Sequence, residues 1–318
     1  MKWILCGKND AAVDALEFLV AHGDEVLVVA NGNDDGVDGW QRSLVAAAAR
    51  LGVPCHPPGP INASATIEAL REFGADALVS IQYDQILRDA LFNRIGCPCL
   101  NLHFALLPRH RGVAPIAWAV LEGDSEAGVT LHHMVEDIDC GDIVAQQRVA
   151  IGPTTTAREL YDALTEAAGT LFRASYPFDR NSLSQRLPQE TATASYHKNG
   201  DLDFSELRVD WSRPAAELQC WIRAMIFPPM QYPEVSFEGR IFHIVGIGSV
   251  ASPASTATTS LPPTSETAPG TVIACENGKF TVSAGAESIT GLELVEHRDE
   301  KDSSSKPAAL PQPGNVLA

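Results

Sequence analysis

The chain has 318 residues with 45% hydrophobic and 20% charged side chains, which is the composition of a globular protein with room for one large and one smaller domain, or for two of medium size. Its formal net charge of −17 disfavours nucleic acid and anionic lipid as partners, because both are themselves negatively charged. The sequence contains no apolar run long enough to cross a bilayer and no signal-peptide core. Its seven cysteines follow no regular framework and indicate reduced thiols, so we expect a cytoplasmic protein.

Over the first hundred residues, short apolar runs alternate with amphipathic stretches. Apolar runs rich in β-branched residues predict buried parallel strands, and the stretches between them predict helices that end at glycines such as Gly23 and Gly52. The predicted strands are 3–6, 25–30, 77–81 and 99–103, and the predicted helices begin near residues 9, 43 and 65. This alternation predicts a domain of the α/β class with an open, mostly parallel, Rossmann-like sheet, in which ligands bind beyond the carboxyl ends of the strands.

Beyond residue 110 the pattern changes twice. Residues 128–132 and 143–151 predict further strands, and Thr156 with Glu159 forms a capping box that opens a helix. From about residue 195, short strands and turns predict a β-rich domain. The predicted organisation is an α/β domain over 1–180, a linker over 181–194, a β-rich domain over 195–298 with a flexible insert at 251–268, and a disordered tail over 299–318.

The densest group of chemically active side chains lies between residues 101 and 142. Period-two alternation places Asn101 and His103 on one face at the end of a strand, and Asp139 follows in a second motif. A histidine can move a proton near neutral pH, an asparagine amide can donate to an oxyanion, and a carboxylate can orient the imidazole. Acyl transfer to an amine needs these groups. Residue types and spacing alone leave a structural role for His103 open.

Two long motifs, residues 101–118 and 128–146, resemble the signature of the folate-dependent formyltransferases. That family includes methionyl-tRNA formyltransferase, the UDP-4-amino-arabinose formyltransferase and sugar-nucleotide N-formyltransferases. The resemblance implies a formyltransferase domain over 1–180, a C-terminal barrel of the OB-like kind, and 10-formyltetrahydrofolate as the formyl donor. It also implies that Asn101, His103 and Asp139 are the catalytic residues.

The resemblance further implies a binding site for the pterin of the donor, formed largely by backbone groups. The implied positions are Gln85, Ile86, Leu87, Val113, Val135, Glu136, Asp137 and Ile138. The sequence departs from the family pattern at Asp137, where glycine is common, and at Cys140, where threonine is common. Both departures lie in the pterin loop and affect the expected cofactor geometry, not the catalytic residues.

The acceptor amine is expected to belong to a small molecule. Residues 31–39 are acidic where tRNA-specific relatives are basic, and residues 196–204 and 223–229 look similar to the sugar formyltransferases. We therefore expect a dTDP- or UDP-linked amino-deoxyhexose. Expected contacts are Arg109 or Arg111 with the diphosphate, and stacking of a base on Phe104, Trp118 or Tyr232, although each residue also fits a structural role. An amino-acid amine such as hydroxyornithine is the alternative, methionyl-tRNA is disfavoured, and a homodimer is left open.

Three rival interpretations of the same motifs are weaker. The cluster His103, His110, His132, His133 and Cys140 suggests a metal site, but His132 and His133 are adjacent on a strand and point to opposite faces, so no metal is expected and His132 is interpreted as structural. A dinucleotide site lacks its glycine fingerprint after the first strand. A degenerate folate-binding protein without turnover is disfavoured because the catalytic residues are intact.

Overall fold

The computed structural model describes residues 1–176, 186–251, 267–284, 287–297 and 309–318. Its internal contacts divide the chain into two compact units. The first unit consists of residues 1–115, 126–150 and 162–199, and the second of residues 116–125, 151–161 and 200–318. Residues 181–185 of the predicted linker, residues 252–266 of the predicted insert and residues 299–308 of the predicted tail lie outside the described residues.

The first unit is built on a six-stranded sheet in the order β2-β1-β3-β4-β6-β7. The strands of this unit, in chain order, are β1 (Lys2–Gly7), β2 (Glu25–Ala30), β3 (Ala77–Ile81), β4 (Cys99–His103), β5 (Arg111–Gly112), β6 (Glu126–His133), β7 (Ile143–Ala150) and β8 (Tyr196–His197). Strands β1 to β4 pair in parallel, whereas β6 runs antiparallel to both β4 and β7. The short strands β5 and β8 pair separately. This arrangement confirms the predicted mostly parallel α/β sheet.

The helices predicted near residues 9, 43 and 65, and the helix predicted at the Thr156 capping box, are all present. They are α1 (Asn9–Ala21), α2 (Leu44–Leu51), α3 (Ser64–Phe73), α4 (Asp89–Ile95), α5 (Pro115–Leu121), α6 (Ala157–Ser175) and α7 (Ala215–Met225). At the start of α2, the Ser43 hydroxyl accepts a hydrogen bond from the backbone N–H of Ala46. At the start of α6, Thr156 and Glu159 bond reciprocally, which confirms the capping box. Among the described residues, no helix has the length and apolar character that a membrane crossing requires.

The second unit contains an antiparallel sheet in the order β12-β13-β14-β10-β9, with β11 paired to β14. Its strands are β9 (Glu234–Phe237), β10 (Arg240–Gly246), β11 (Val250–Ala251), β12 (Val272–Glu276), β13 (Lys279–Ala284) and β14 (Glu287–Glu296). Buried side chains from the strands, among them Phe242 and Phe280, form one core with Leu218 and Ile222 of α7. The unit confirms the predicted β-rich C-terminal domain.

The chain ends in a segment that pairs with both edges of this second sheet. Beside the β12 edge, Leu317 N–H donates to the Gly270 carbonyl over 2.9 Å, and Val272 N–H to the Asn315 carbonyl over 2.8 Å. At the β9 edge, Ser236 and Ala318 exchange two backbone hydrogen bonds. Residues 309–318 therefore differ from the predicted disordered tail. Their polar, proline-rich composition predicts disorder, whereas two unpaired strand edges and a buried site for one leucine provide the partners that order them.

Replacing Leu317 by alanine is expected to lower the free energy of unfolding of the second unit by about 2–4 kcal/mol, because its side chain is 1% exposed and its loss leaves a cavity. The matched control is Leu310→Ala in the same segment, where a 44% exposed side chain predicts a loss below about 0.5 kcal/mol. Urea unfolding and hydrogen exchange at the Ser236 and Val272 amides measure the difference. Equal stability of the two variants would contradict the packing of residues 309–318 against the second sheet.

Candidate active site

The three predicted catalytic residues meet at one end of the first sheet. Asn101 and His103 project from the same face of β4, and β6 pairs beside it with His132 directly opposite Asn101. Asp139 lies in the loop between β6 and β7, where its backbone adopts a left-handed φ of 55°. The sequence predicted that these residues would converge, and in the structure they do.

His103 is held between a backbone carbonyl and a carboxylate. Its Nε2 lies 2.8 Å from the carbonyl oxygen of His110, and this nitrogen therefore carries a proton, since a carbonyl can only accept. Its Nδ1 lies 3.6 Å from Oδ2 of Asp139. That distance exceeds a hydrogen bond but allows strong electrostatic attraction when the ring is protonated. The side chain is 8% exposed, so little water screens this attraction.

Asn101 donates its side-chain amide toward two acceptors. Nδ2 lies 3.2 Å from Nε2 of His132 and 3.3 Å from Oδ1 of Asp139. The second histidine bonds through Nδ1 to the carbonyl of His133 over 2.9 Å, so Nδ1 carries its proton and Nε2 is left as the acceptor. His132 therefore fixes the orientation of the Asn101 amide, in addition to the structural role that the sequence indicated.

The carboxylate of Asp139 is the centre of the group. Besides its contacts with the two histidines and with Asn101, its Oδ2 accepts a hydrogen bond of 2.8 Å from the backbone N–H of Gly112. Burial disfavours the charged form and raises the pKa of this carboxyl, but attraction to His103 and His132, when their rings are protonated, outweighs burial and holds the pKa well below its usual range. The bond from Gly112 acts in the same direction. Asp139 is therefore a carboxylate throughout the neutral pH range.

The residues implied to bind the cofactor have different degrees of exposure. Gln85 uses its side chain within the protein, since it accepts from the backbone N–H of Ile61 and donates to the carbonyl of Gly59. Leu87 is buried in the core of the first unit. The remaining implied apolar contacts Ile86, Val113 and Val135 are 53%, 45% and 43% exposed, and Glu136 and Asp137 are exposed while Ile138 is half-buried.

The residues expected to bind the substrate differ in exposure and in the contacts that they already make. Arg111 donates from Nε and Nη2 to Oε1 of Gln189, over 3.0 and 2.7 Å, so much of its donor capacity is used internally. Phe104 is 5% exposed and belongs to the packed interior, which differs from the expected stacking surface. Arg109 is exposed and Trp118 is half-buried. Tyr232, in the second unit, stacks on His243 with ring centroids 5.0 Å apart.

A cleft of about 390 Å³ lies beside the loop that holds Asp139. Its walls are Arg111, Glu136, Asp137, Ile138, Cys140 and Tyr196. Burial is the largest cause that raises the pKa of the Cys140 thiol, and neighbouring aspartates add to it. A thiol that resists ionisation is a poor nucleophile, so the cysteine is a wall of this cleft and not a second reactive group.

Comparison with known proteins identifies the family. The family model described as formyl transferase matches residues 12–174, and the model of the formyl transferase C-terminal domain matches residues 202–309. The chain belongs to the formyl transferase family. Among its relatives, a methionyl-tRNA formyltransferase of Bradyrhizobium diazoefficiens is 36% identical over 221 residues, which cover 68% of this chain and 70% of the relative.

Solved formyltransferase structures share the fold. An N-formyltransferase of Helicobacter canadensis, solved with folinic acid and dTDP-3-aminofucose, has a TM-score of 0.71 and 25% identity, with 92% of this chain and 99% of that chain covered. The sugar 3N-formyl transferase WlaRD, solved with dTDP and 5-N-formyl-THF, has a TM-score of 0.70 and 24% identity, with coverages of 92% and 97%. The chain is thus a formyltransferase with the two-domain fold of its family.

In this formyltransferase, Gly112 is expected to tolerate no side chain. Its φ is +90°, and an added Cβ would collide with the carbonyl oxygen of His197. Gly112→Ala should displace the N–H that bonds Asp139 and lower formyl transfer about 10- to 100-fold. The matched control is Gly200→Ala, where φ is +92° but no atom lies within 4 Å of the added carbon. If both variants lose kcat to a comparable extent, backbone strain alone explains the effect, and the collision at Gly112 does not.

Proposed function

We propose that this formyltransferase moves the formyl group of 10-formyltetrahydrofolate to the amino group of a nucleotide-linked amino sugar, with Asn101, His103 and Asp139 as catalytic residues. The observation that carries the proposal is their convergence at the carboxyl end of β4, where Asp139 contacts both partners. We assign catalysis to the α/β domain of residues 1–180. The activity is proposed for the cytoplasm, which fits seven cysteines that are all free thiols.

The chemistry assigns one task to each side chain. The amine nitrogen forms a bond to the formyl carbon, the bond from that carbon to N10 of the folate breaks, and the formyl oxygen carries negative charge in between. Asn101 donates to this oxyanion. The amine loses one proton and N10 gains one, so a single imidazole can balance the transfer.

Proton transfer requires a change in the hydrogen bonding of His103. In the structure its Nε2 donates to the carbonyl of His110. To accept a proton from the amine, Nε2 must leave this carbonyl, and Nδ1 then holds the proton that faces Asp139. The carboxylate stabilises the imidazolium that forms, because it stays charged in its buried position.

The donor site is proposed at the loops that the sequence implied. Branched apolar side chains are exposed there, namely Ile86, Val113 and Val135. A flat pterin ring would cover such side chains and remove them from water. Support also comes from the Helicobacter canadensis and WlaRD structures, which were solved with folinic acid and 5-N-formyl-THF respectively.

The acceptor is the part of the proposal on which the comparisons diverge. Sugar N-formyltransferases with nucleotide ligands align over 92% of this chain, whereas the relative at 36% identity is named a methionyl-tRNA formyltransferase. Charge favours the sugar, since the net charge of −17 opposes binding to a phosphate backbone. At the start of α2, Asp34 Oδ2 accepts from the backbone N–H groups of Leu44 and Val45, so a carboxylate already fills a position that could attract a phosphate.

A direct comparison of acceptors tests the proposal. The purified chain is incubated with 10-formyltetrahydrofolate and, in separate reactions, dTDP-3-aminofucose, a UDP-linked amino sugar, hydroxyornithine or methionyl-tRNA. We expect formylation of an amino sugar and thermal stabilisation by dTDP or UDP. Formylation of methionyl-tRNA alone would overturn the sugar assignment and leave formyl transfer in place. Formylation of none, with folate bound, would support a binding protein without turnover.

A further inference from the structure

The side chain of Gln189 joins the two segments that hold the catalytic carboxylate. Its Nε2 donates to the backbone carbonyls of Asp139 and Gly141, over 2.7 Å each. Its Oε1 accepts from Nε and Nη2 of Arg111, over 3.0 and 2.7 Å. A primary amide has two N–H donors and one oxygen with two lone pairs. All four hydrogen-bonding sites of Gln189 are therefore used.

The two carbonyls that Gln189 bonds belong to an unfavourable turn. Asp139 has a left-handed φ of 55°, a conformation that is unfavourable for a residue with a Cβ. Gly141 packs so tightly that a Cβ there would collide with the carbonyl of His133. Carbonyl oxygens that converge on one point repel each other unless a donor lies between them. The amide nitrogen of Gln189 supplies that donor and stabilises the turn.

The other end of the amide bonds to β5, which holds the same carboxylate from a second direction. Arg111 precedes Gly112, whose backbone N–H donates to Oδ2 of Asp139 over 2.8 Å. Gln189 thus bonds one segment through Asp139 itself and the other through the residue before Gly112. A shift of its side chain would move the carboxylate relative to His103.

Gln189 is itself fixed to the sheet. Two residues earlier, Leu187 exchanges two backbone hydrogen bonds with Ile143, the first residue of β7, over 2.8 and 3.0 Å. Gln189 is half-buried, whereas its neighbours on either side are exposed. A short exposed segment is therefore anchored beside β7 and directs one polar side chain inward.

We infer that Gln189 is a positioning residue for formyl transfer, which sets the backbone of Asp139 so that its carboxylate faces His103 and Asn101. The inference rests on the proposed catalytic role of Asp139. Gln189 acts through Asp139 and contacts none of the proposed reacting groups. Its role requires an amide specifically, because only an amide donates to two carbonyls while it accepts from an arginine.

Two substitutions distinguish this role from simple anchoring of Arg111. Gln189→Ala removes every bond, while Gln189→Glu keeps an acceptor for Arg111 but places an oxygen against the two carbonyls. We expect both variants to lower kcat about 10- to 100-fold, with KM for the amine changed less than about threefold. Gln147→Ala, at an exposed glutamine on β7, is the control and should keep the wild-type kcat. Wild-type turnover in Gln189→Glu would overturn the inference.

Turnover is measured with dTDP-3-aminofucose and with methionyl-tRNA as acceptors. A double variant combines Gln189→Ala with Asp139→Asn. If Gln189 acts through Asp139, the double variant should be no slower than Asp139→Asn alone. Additive losses would overturn the inference while the role of Asp139 stands. Full activity of Asp139→Asn would instead show that the proposed function fails at Asp139, and the inference would fail with it.

A second readout needs no acceptor. In protein with 13C-labelled aspartate, the carboxyl resonance of Asp139 is assigned by its loss in Asp139→Asn and followed while pH is lowered. Because the contacts of Asp139 hold its pKa well below the usual range, we expect no titration above pH about 4 in the wild type. In Gln189→Ala the weakened contacts should raise the pKa and shift the titration toward higher pH. An unchanged titration in the folded variant would overturn the inference.

Discussion

Replacing His103 by alanine is expected to lower kcat about 10²- to 10⁴-fold, since general acid–base catalysis contributes an effect of this size. The imidazole lies between the carbonyl of His110 and the carboxylate of Asp139. Alanine removes the group that moves the proton and leaves the carboxylate of Asp139 without this imidazole beside it. KM for the folate should change little, because the exposed apolar positions proposed for the pterin lie on other segments. Steady-state kinetics at several pH values measure both parameters.

Two controls separate chemistry from folding in this variant. His22→Ala removes an exposed histidine near the end of α1 and should leave kcat unchanged. Added imidazole should restore part of the activity of His103→Ala, because the substitution opens a space of the right size beside Asp139. Retention of more than about a tenth of wild-type kcat would remove His103 from proton transfer.

The sequence predicts much of this fold because each element carries its own signal. The apolar run 77–81 forms the fully buried central strand β3, and the capping box at Thr156 and Glu159 opens α6. Such signals act over a few residues and depend only on backbone geometry and burial. The proposed catalytic residues are predicted for a different reason, since they lie in two motifs that match a known family.

The parts that the sequence did not predict depend on long-range partners. His132 contacts Asn101 because β6 runs antiparallel to β4, with these two residues in register. Gln189 reaches Asp139 across 50 positions of sequence. Leu317 is buried because two sheet edges need a partner. Periodicity gives the face of a strand but not its neighbour in the sheet, so no local pattern could supply these contacts.

Replacing Asn101 by alanine is expected to lower kcat about 10²- to 10³-fold, as expected for loss of one donor to an oxyanion. The distances from Nδ2 to its two acceptors, 3.2 and 3.3 Å, and the 3.5 Å between those acceptors set the angle at Nδ2, by the law of cosines, at about 65°. The two hydrogens of a planar amide lie about 120° apart. Both therefore cannot align well with His132 and Asp139, and donor capacity remains for the formyl oxygen.

A role of Asn101 at the oxyanion differs from a structural role in which kinetic parameter the substitution changes. A donor that acts on the oxyanion strengthens only as charge develops, so kcat should fall while the dissociation constants for folate and amine stay within about threefold of wild type. The control is Asn33→Ala, at an exposed position in the loop after β2. His132→Ala should reproduce a fraction of the loss, because it frees the Asn101 amide to rotate while the amide itself remains. Normal turnover in Asn101→Ala would show that Asn101 does not stabilise the oxyanion.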